Sequence, residues 1–348
     1  MQLETFDDVL LSIKKNNSRK FHLLLGNGFS VAYNPNMFSY NALHDFVSNL
    51  QDSDLSKILS VIETRNFEII MQQLDTCTAL IEAFDGNSAL KIKIEESTKA
   101  LKRKLLEAVN ALHPEHVFKV PEAQSKSCAA FLEHFLGTNG GIYSTNYDLL
   151  LYWVLLRNVM QKHNDGCGRE QENFSEEFTH PEDQIWSELT WGKHRKEQNT
   201  FYLHGALQFF DDGTSIVKEE YSGHEYLLAG ISKRMEKGQY PIFVTAGDGQ
   251  QKLEHITHNQ YLNFCYDKLC SLDGSLVTYG FRFGAYDEHI IDAINRAAKN
   301  GKNAAEKLRS IYIGVYSKED HDHIEQIAHK FKCKLRIYDA KTANVWGH

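Results

Sequence analysis

The stretch FHLLLGNGFSVAYN, residues 21–34, decides the fold. Its apolar run ends on GNGFS (residues 26–30), the pattern of a β-strand that breaks into a glycine-rich turn before a helix. Glycines let a backbone approach a phosphate closely, and the N–H groups that open the next helix can bind it. A strand-to-helix turn without a ligand accounts for the same residues. Val31 stands where the dinucleotide fingerprint Gly-x-Gly-x-x-Gly has its third glycine, which disfavours a hydride-transferring enzyme.

Further apolar runs rich in β-branched or aromatic residues recur along the chain, and helical patterns lie between most of them. Strands that alternate with helices predict a mostly parallel sheet covered on both faces. We therefore expect an α/β protein with a three-layer Rossmann-like fold. The predicted strands are residues 21–26, 141–145, 201–205, 241–247, 275–280, 310–316 and 334–340.

Two segments interrupt this alternation. Residues 51–120 carry helical patterns and no strand pattern, so we expect a helical subdomain inserted into a main domain of residues 1–50 and 121–348. Residues 161–199 are polar and rich in turn formers, which predicts a long loop within the main domain. The last two predicted strands complete the sheet.

Composition disfavours several classes of protein. The 348 residues are 42% hydrophobic and 24% charged, the balance of a globular protein, and the net charge of −8 disfavours nucleic acid as a direct ligand. No apolar run approaches the ~18 residues of a membrane helix, and the N-terminus lacks a signal-peptide pattern. The six cysteines are scattered without a Cys-x-x-Cys pair. We therefore expect a cytoplasmic protein with reduced thiols, no membrane contact and no metal site.

Polar residues and glycines follow four of the predicted strands. TNYD (residues 145–148) ends the second run, His204-Gly205 ends the third, and Gly280-Phe281 ends the fifth. Ligands of open α/β sheets bind beyond the carboxyl ends of the strands. These residues and the first loop are therefore predicted to form one site.

Each of these residues also has a structural interpretation. Asn146 or Asp148 can cap the helix that follows. His204 is one of 17 histidines, and a lone histidine is more often structural. Gly205 leaves a backbone gap beside the His204 ring in which a substrate can sit, and this favours a functional role.

These motifs resemble the SIR2-like domain in content and in order. LLLGNGFS, STNYD, YLHG and YGFRFGAYDEHI correspond to the glycine-rich NAD loop, the Thr-Asn-x-Asp motif, the His-Gly motif and the late Gly-x-Ser motif of that family. The likeness spans roughly residues 21–295 and extends to bacterial SIR2-like proteins, which are often associated with antiphage defence. The four-cysteine zinc module of the sirtuin deacylases is absent, and Asn27 and Arg282 replace the usual alanine and serine.

The resemblance implies NAD⁺ as the substrate and gives roles to the matching positions. His204 is expected to hydrogen-bond the ribose hydroxyls and to serve as general base. Asn146 is expected to position the ribose or the attacking water, and Asp148 to orient its neighbours. The positions expected to bind the dinucleotide are Gly26, Asn27, Gly28, Phe29, Ser30, Thr145, Gly205, Gly280, Phe281 and Arg282.

Because the acyl-lysine features of the deacylases are absent, water is the expected acceptor. The implied reaction cleaves the nicotinamide–ribose bond of NAD⁺ and gives nicotinamide and ADP-ribose. An NAD-dependent protein deacylase and a non-catalytic NAD- or ADP-ribose-binding regulatory subunit are the alternatives.

An unrestrained NAD⁺ hydrolase would poison its own cell. We therefore expect the activity to be switched by homo-oligomerisation, by a regulatory partner protein or by a small nucleotide. Residues 51–120 and 161–199 are the expected places for that control.

Overall fold

The computed structural model describes residues 3–15, 20–38, 53–62, 67–84, 86, 88–158, 160, 162–169, 188–221, 225–244, 249–299 and 307–347. Within these ranges, no helix is both long and apolar enough to cross a membrane.

The described helices are α1 (Phe6–Lys14), α2 (Gly28–Tyr33), α3 (Pro35–Phe38), α4 (Ser53–Ile62), α5 (Phe67–Ala83), α6 (Ser88–Leu112), α7 (Glu122–Leu136), α8 (Leu150–Arg157), α9 (Leu227–Glu236), α10 (Gly249–His258), α11 (Gln260–Cys270), α12 (Glu288–Lys299) and α13 (Lys318–Ile327). The strands are β1 (Phe21–Leu25), β2 (Ile142–Ser144), β3 (Cys167–Gly168), β4 (Leu189–Trp191), β5 (Thr200–Tyr202), β6 (Gly205–Asp211), β7 (Ile216–Lys218), β8 (Pro241–Phe243), β9 (Gly274–Tyr279), β10 (Leu308–Val315) and β11 (Lys334–Asp339).

The main sheet is parallel throughout, with the strand order β11-β10-β9-β1-β2-β5. Numbered along the chain within this sheet, the order read from β5 is 3-2-1-4-5-6, which is that of dinucleotide-binding Rossmann folds. The predicted fold class is therefore confirmed. The order reverses between β1 and β9, and ligands of such sheets bind at that switch point.

Helices cover both faces of this sheet because its strands are apolar on both sides. All residues of β1 are buried. On one face Phe21 contacts Phe135 of α7, with ring centroids 5.6 Å apart. On the other face Tyr143 stacks on Phe201, whose ring centroid lies 6.4 Å from that of Phe264 in α11. The three layers follow from this two-sided burial.

The second sheet is antiparallel, with the order β3-β4-β7-β6-β8. The run 241–247, predicted as a strand of the parallel sheet, contributes β8 to this second sheet instead. The difference from the prediction begins at Gly205, whose φ of +85° turns the chain sharply after β5. The chain then continues as β6, a strand that the sequence did not predict, and β6 pairs with β7 and β8.

The two interrupting segments are described in part. All described residues between 53 and 83 and between 88 and 112 are helical, as expected for the insertion. These helices have an apolar cluster of their own, formed by Leu55, Leu59, Ile70, Met71, Leu74, Leu101 and Ala108. The predicted loop 161–199 contributes β3 and β4, and its residues 170–187 lie outside the described residues.

A buried ion pair joins β7 to the segment before β3. Lys218 Nζ donates to Asp165 Oδ2, and the two side chains are 7% and 6% exposed. The Lys218 ammonium also lies 4.3 Å from the ring centroid of Tyr152. Burial disfavours both charges, but each partner offsets this, so the pKa of Asp165 is lowered and that of Lys218 is raised. Both groups are therefore charged at neutral pH.

Replacing Lys218 with methionine should lower the free energy of unfolding by about 3–5 kcal/mol, because the Asp165 carboxylate is then buried without its counter-charge. The double variant K218M/D165L removes both charges and should recover much of that loss. Urea unfolding followed by circular dichroism measures both effects. A double variant no more stable than K218M would contradict the coupling.

Candidate functional site

The carboxyl ends of four neighbouring strands lie side by side. One row of register crosses them through Tyr279, Leu25, Ser144 and Tyr202. Each of the four chains continues past this row, and the residues two positions further on are, in the same order, Phe281, Asn27, Asn146 and His204. The structure thus brings the four sequence motifs to one edge of the main sheet.

The glycine-rich loop after β1 packs against the loop after β9. Gly26 N donates to the carbonyl oxygen of Tyr279 at 3.1 Å, and Gly28 N donates to that of Gly280 at 2.9 Å. A Cβ added at Gly28 would lie 2.6 Å from Gly280 Cα, which is too close for any side chain. The contact between the two loops therefore requires these glycines. The N–H groups of Gly26, Gly28, Phe29 and Ser30 all donate to backbone carbonyl oxygens, so they are engaged within the protein and are not the free phosphate donors that the sequence predicts.

Ser30 connects the glycine-rich loop to the end of β2. Its hydroxyl donates to Asp148 Oδ2 at 2.5 Å and accepts from Asn146 Nδ2 at 3.0 Å. All three side chains are buried. Thr145 strengthens the connection, since its N–H donates to the carbonyl oxygen of Leu25 at 3.0 Å. Predicted site residues from two loops therefore form one hydrogen-bonded unit.

Asp148 holds two elements at once. Its Oδ1 accepts from Leu150 N, the first residue of α8, at 2.9 Å, while its Oδ2 accepts from Ser30. Burial raises the pKa of Asp148, and these hydrogen bonds oppose the shift. The N-cap residue of α8 is Leu149, so Asp148 binds the start of the helix from one residue before the N-cap position that the sequence offers it. Asn146 faces Ser30 instead.

His204 lies in the tight turn between β5 and β6. A Cβ at Gly205 would overlap the carbonyl oxygen of Ile242 in β8. The sequence predicts a gap at Gly205, beside the His204 ring. In the structure the backbone of β8 fills the space that a side chain at Gly205 would take. Val244 N donates to the carbonyl oxygen of His204 at 2.9 Å, so the chain after β8 also holds the turn in place.

The ring of His204 contacts a second histidine, His289, in the first turn of α12. The two Nε2 atoms are 2.9 Å apart, and the rings are nearly parallel with centroids 5.2 Å apart. Burial, His289 and Lys252 lower the pKa of His204 well below its usual value. Burial and Lys252 lower the pKa of His289 to about 3. Both rings are therefore neutral at pH 7, and one donates a hydrogen that the other accepts.

Phe281 and Arg282 have different surroundings. Phe281 is buried, and its ring centroid lies 4.7 Å from that of Phe283. The Arg282 side chain is 68% exposed, and its Nε pairs with Asp320 Oδ1 of α13 at 3.5 Å. A phosphate bound by Arg282 would compete with Asp320 for the charge of this side chain.

Two residues of this region come from far along the chain, and sequence reasoning missed them. One is His289, which lies in the quoted stretch YGFRFGAYDEHI but is given no role there. The other is Trp346, whose Nε1 donates to the carbonyl oxygen of Phe29 at 2.9 Å. Its ring centroid lies 5.0 Å from that of Phe29 and 5.1 Å from that of Tyr33. The C-terminal segment therefore supports α2 and the glycine-rich loop.

A cleft of about 1090 Å³ lies between the inserted helices and β8. Its lining includes basic side chains of α6 and aromatic side chains at β8, among them Lys93, Lys99, Arg103, Tyr240 and Phe243. The ring centroid of Phe243 lies 6.2 Å from that of Tyr147, whose hydroxyl donates to the carbonyl oxygen of Val244. The cleft thus adjoins the strand that holds the His204 turn.

One group of side chains has the spacing of metal ligands. His321, Asp322 and Glu325 of α13 each place a ligand atom within 4.8 Å of the others. The two acidic residues are exposed and pair with His321. We assign no metal to this group.

One family profile, that of the domain of unknown function DUF4917, matches residues 23–346. The chain belongs to the DUF4917 family. The matched range contains all four strand ends of the site and extends to Trp346. No curated protein matches the sequence. The description of the DUF4917 family names no activity, so the likeness to SIR2-like proteins and its NAD⁺ chemistry stay a hypothesis.

Trp346 offers a test of the support beneath α2 in this DUF4917 protein. Trp346→Phe keeps an aromatic ring but removes the hydrogen bond to Phe29. Trp153 is the matched control, because its buried Nε1 has no hydrogen-bond partner among the described residues. Trp346→Phe should lower the free energy of unfolding by about 1 kcal/mol more than Trp153→Phe does. Urea denaturation of the two variants measures the difference. Equal costs would contradict a stabilising hydrogen bond to Phe29.

Proposed function

We propose that this protein is an NAD⁺ glycohydrolase that cleaves the nicotinamide–ribose bond to give nicotinamide and ADP-ribose. The observation that carries the proposal is the meeting of four motifs at the switch point of a Rossmann strand order. A dinucleotide is the ligand class for which this sheet edge is best known. The SIR2-like order of the motifs selects NAD⁺ and ribose chemistry.

In this proposal, residues 26–30 lie along the pyrophosphate, and Thr145, Gly205, Gly280, Phe281 and Arg282 complete the dinucleotide site. Asn146 positions the ribose or the attacking water. Asp148 acts on geometry, since it holds Ser30 and the start of α8 together. His204 hydrogen-bonds the ribose hydroxyls and serves as general base.

The chemistry suits these residues. Nicotinamide leaves NAD⁺ as a neutral molecule from a cationic ring, so no acid is needed to protonate it. The transition state resembles the oxocarbenium ion of glycoside hydrolysis, which requires an oriented ribose and an attacking water. A neutral histidine has a ring nitrogen that can orient both and accept the proton of the water, although burial lowers the pKa of His204 and so weakens it as a base.

We further propose that the activity is switched, as an antiphage effector that depletes NAD⁺ would need to be. The insertion 51–120 is the proposed place of control, together with residues 161–199. The cleft between the insertion and β8 supports this, because it is lined by Phe243 of β8, and the next residue, Val244, binds the His204 turn. A homo-oligomer, a partner protein or a small nucleotide is the proposed trigger. Full activity in the isolated monomer would refute the switch.

Purified protein should release nicotinamide and ADP-ribose from NAD⁺, alone or once lysate from stressed or infected cells supplies the trigger. His204→Ala and Asn146→Ala should each lower kcat/KM by about 10²–10⁴-fold, because the base or the oriented water is lost. Chromatographic separation of the products measures both.

His329→Ala is the matched control, since this histidine lies exposed in the turn after α13 and its side chain bonds only to the carbonyl oxygen of Gln326 among the described residues. It should keep the wild-type rate. Turnover that requires an acyl-lysine peptide would favour the deacylase. Saturable binding of NAD⁺ or ADP-ribose without turnover under either condition would favour the regulatory subunit.

A further inference from the structure

The contact between His204 and His289 spans the site. His204 follows β5, and His289 lies just beyond the loop after β9. In the sheet, β5 and β9 stand three strand spacings apart, about 14 Å. The Nε2 atoms of His204 and His289 are nevertheless only 2.9 Å apart. The histidine pair therefore bridges the strands on either side of β1 and β2.

Packing alone does not account for His289. The residue is 2% exposed, and its Nδ1 has no hydrogen-bond partner among the described residues. A buried imidazole with one unsatisfied nitrogen is less favourable to the fold than an apolar ring of similar size. Buried polar groups of this kind call for another explanation, and a functional role is one of the usual ones.

The surroundings of His289 keep the pair neutral. Lys252 of α10 is fully buried and pairs with Asp287, in the turn before α12, at 3.6 Å. Tyr266 of α11 donates to the backbone carbonyl oxygen of His289 at 3.0 Å and fixes the start of α12. Burial and the Lys252 cation both disfavour an imidazolium here. A single hydrogen therefore lies between the two Nε2 atoms, donated by one ring and accepted by the other.

We propose that His289 is a positioning residue that fixes the orientation and the tautomer of His204 for NAD⁺ hydrolysis, an inference that rests on the proposed function. Because Nε2 of His204 is engaged by His289, Nδ1 is the ring nitrogen left for the ribose or the attacking water. For Nδ1 to accept a proton, His204 carries its hydrogen on Nε2 and donates it to Nε2 of His289. His289 then has the role of the carboxylate in an Asp–His pair, without a negative charge.

The reaction balances with these groups alone. The water oxygen bonds to the ribose carbon as the bond from that carbon to the nicotinamide nitrogen breaks, and the bonding electrons leave with nicotinamide. The water proton passes to Nδ1 of His204. The imidazolium formed keeps its hydrogen bond from Nε2 to neutral His289, and because its surroundings disfavour the charge it returns the proton to solvent after product release.

Two substitutions separate the hydrogen bond from the ring. His289→Phe keeps a ring of similar size without polar atoms, whereas His289→Gln can still accept a hydrogen bond from His204. H289F should lower kcat for NAD⁺ hydrolysis by about 10–100-fold with little change in KM, and H289Q should recover part of that loss. Equal losses in both variants, or a change confined to KM, would overturn the proposal.

Folding stability distinguishes positioning from a structural role. H289F should unfold at the same or a higher urea concentration than wild type, because it removes a half-satisfied buried ring. His113→Phe is the matched control: the His113 ring is buried and bonds through both nitrogens, to Pro114 O and Leu149 N at 3.0 Å, so its loss should destabilise the protein. Destabilisation of H289F as large as that of H113F would assign His289 a structural role and overturn the proposal.

The pH dependence of stability has a defined sign. The folded state holds His289 neutral, so the unfolded state binds more protons below about pH 6.5, and stability falls as the pH falls. H289F should make this decline shallower. An unchanged decline would show that His289 is not held neutral and would overturn the proposal.

¹⁵N-histidine spectra report the tautomers without any turnover. In wild-type protein with ADP-ribose at pH 7, His204 and His289 should be neutral, with His204 protonated on Nε2 and His289 on Nδ1. The reverse assignment, or a cationic ring, would overturn the positioning role. The predicted assignment together with a complete absence of NAD⁺ turnover would instead refute the proposed hydrolysis.

Discussion

The whole site depends on the close approach of two glycine-rich loops at the switch point of the sheet. Gly28 and Gly280 come so near that neither can carry a side chain, and a hydrogen bond joins their backbones. This approach places the end of β1 beside the end of β9. The other contacts of the site connect these two loops to the ends of β2 and β5 on one side and to the C-terminal segment on the other.

From that contact, polar side chains extend the site. Ser30 binds Asp148 and Asn146, and Asp148 accepts from the first N–H of α8, so hydrogen bonds join the glycine-rich loop to the β2 end. His204 is held by its backbone to the chain after β8 and by its ring to His289. These contacts set the positions of the site residues within the protein itself, and preorganisation of this kind lowers the cost of orienting a substrate.

The local parts of this arrangement could be predicted from the sequence, because each strand end carries its own motif. The distant parts could not. His289 lies 85 residues from His204, and Trp346 lies 317 residues from Phe29, so neither contact leaves a local pattern. The second sheet was missed for a related reason. The predicted strand 201–205 ends at Gly205, and only the positive φ of that glycine and the pairing with β8 show that a new strand begins there.

The glycines show that the residues of a ligand-binding motif can also be required by the fold itself. The sequence explains them by the approach of a phosphate, whereas the structure already requires them for the approach of the two loops. The same holds for Asp148, whose sequence context fits a helix cap and whose second oxygen binds Ser30. Motif residues at a switch point can thus serve the fold and a ligand together.

Hydrogen–deuterium exchange with and without ADP-ribose tests the central claim most directly, because it locates a ligand without requiring turnover. We expect slower exchange in residues 26–30, 145–148 and 204–205 on addition of ADP-ribose, with α9, which contains none of the proposed dinucleotide-binding residues, unchanged. Saturable binding that leaves these three segments unaffected would contradict it, since the ligand would then lie elsewhere than at the carboxyl edge of the main sheet.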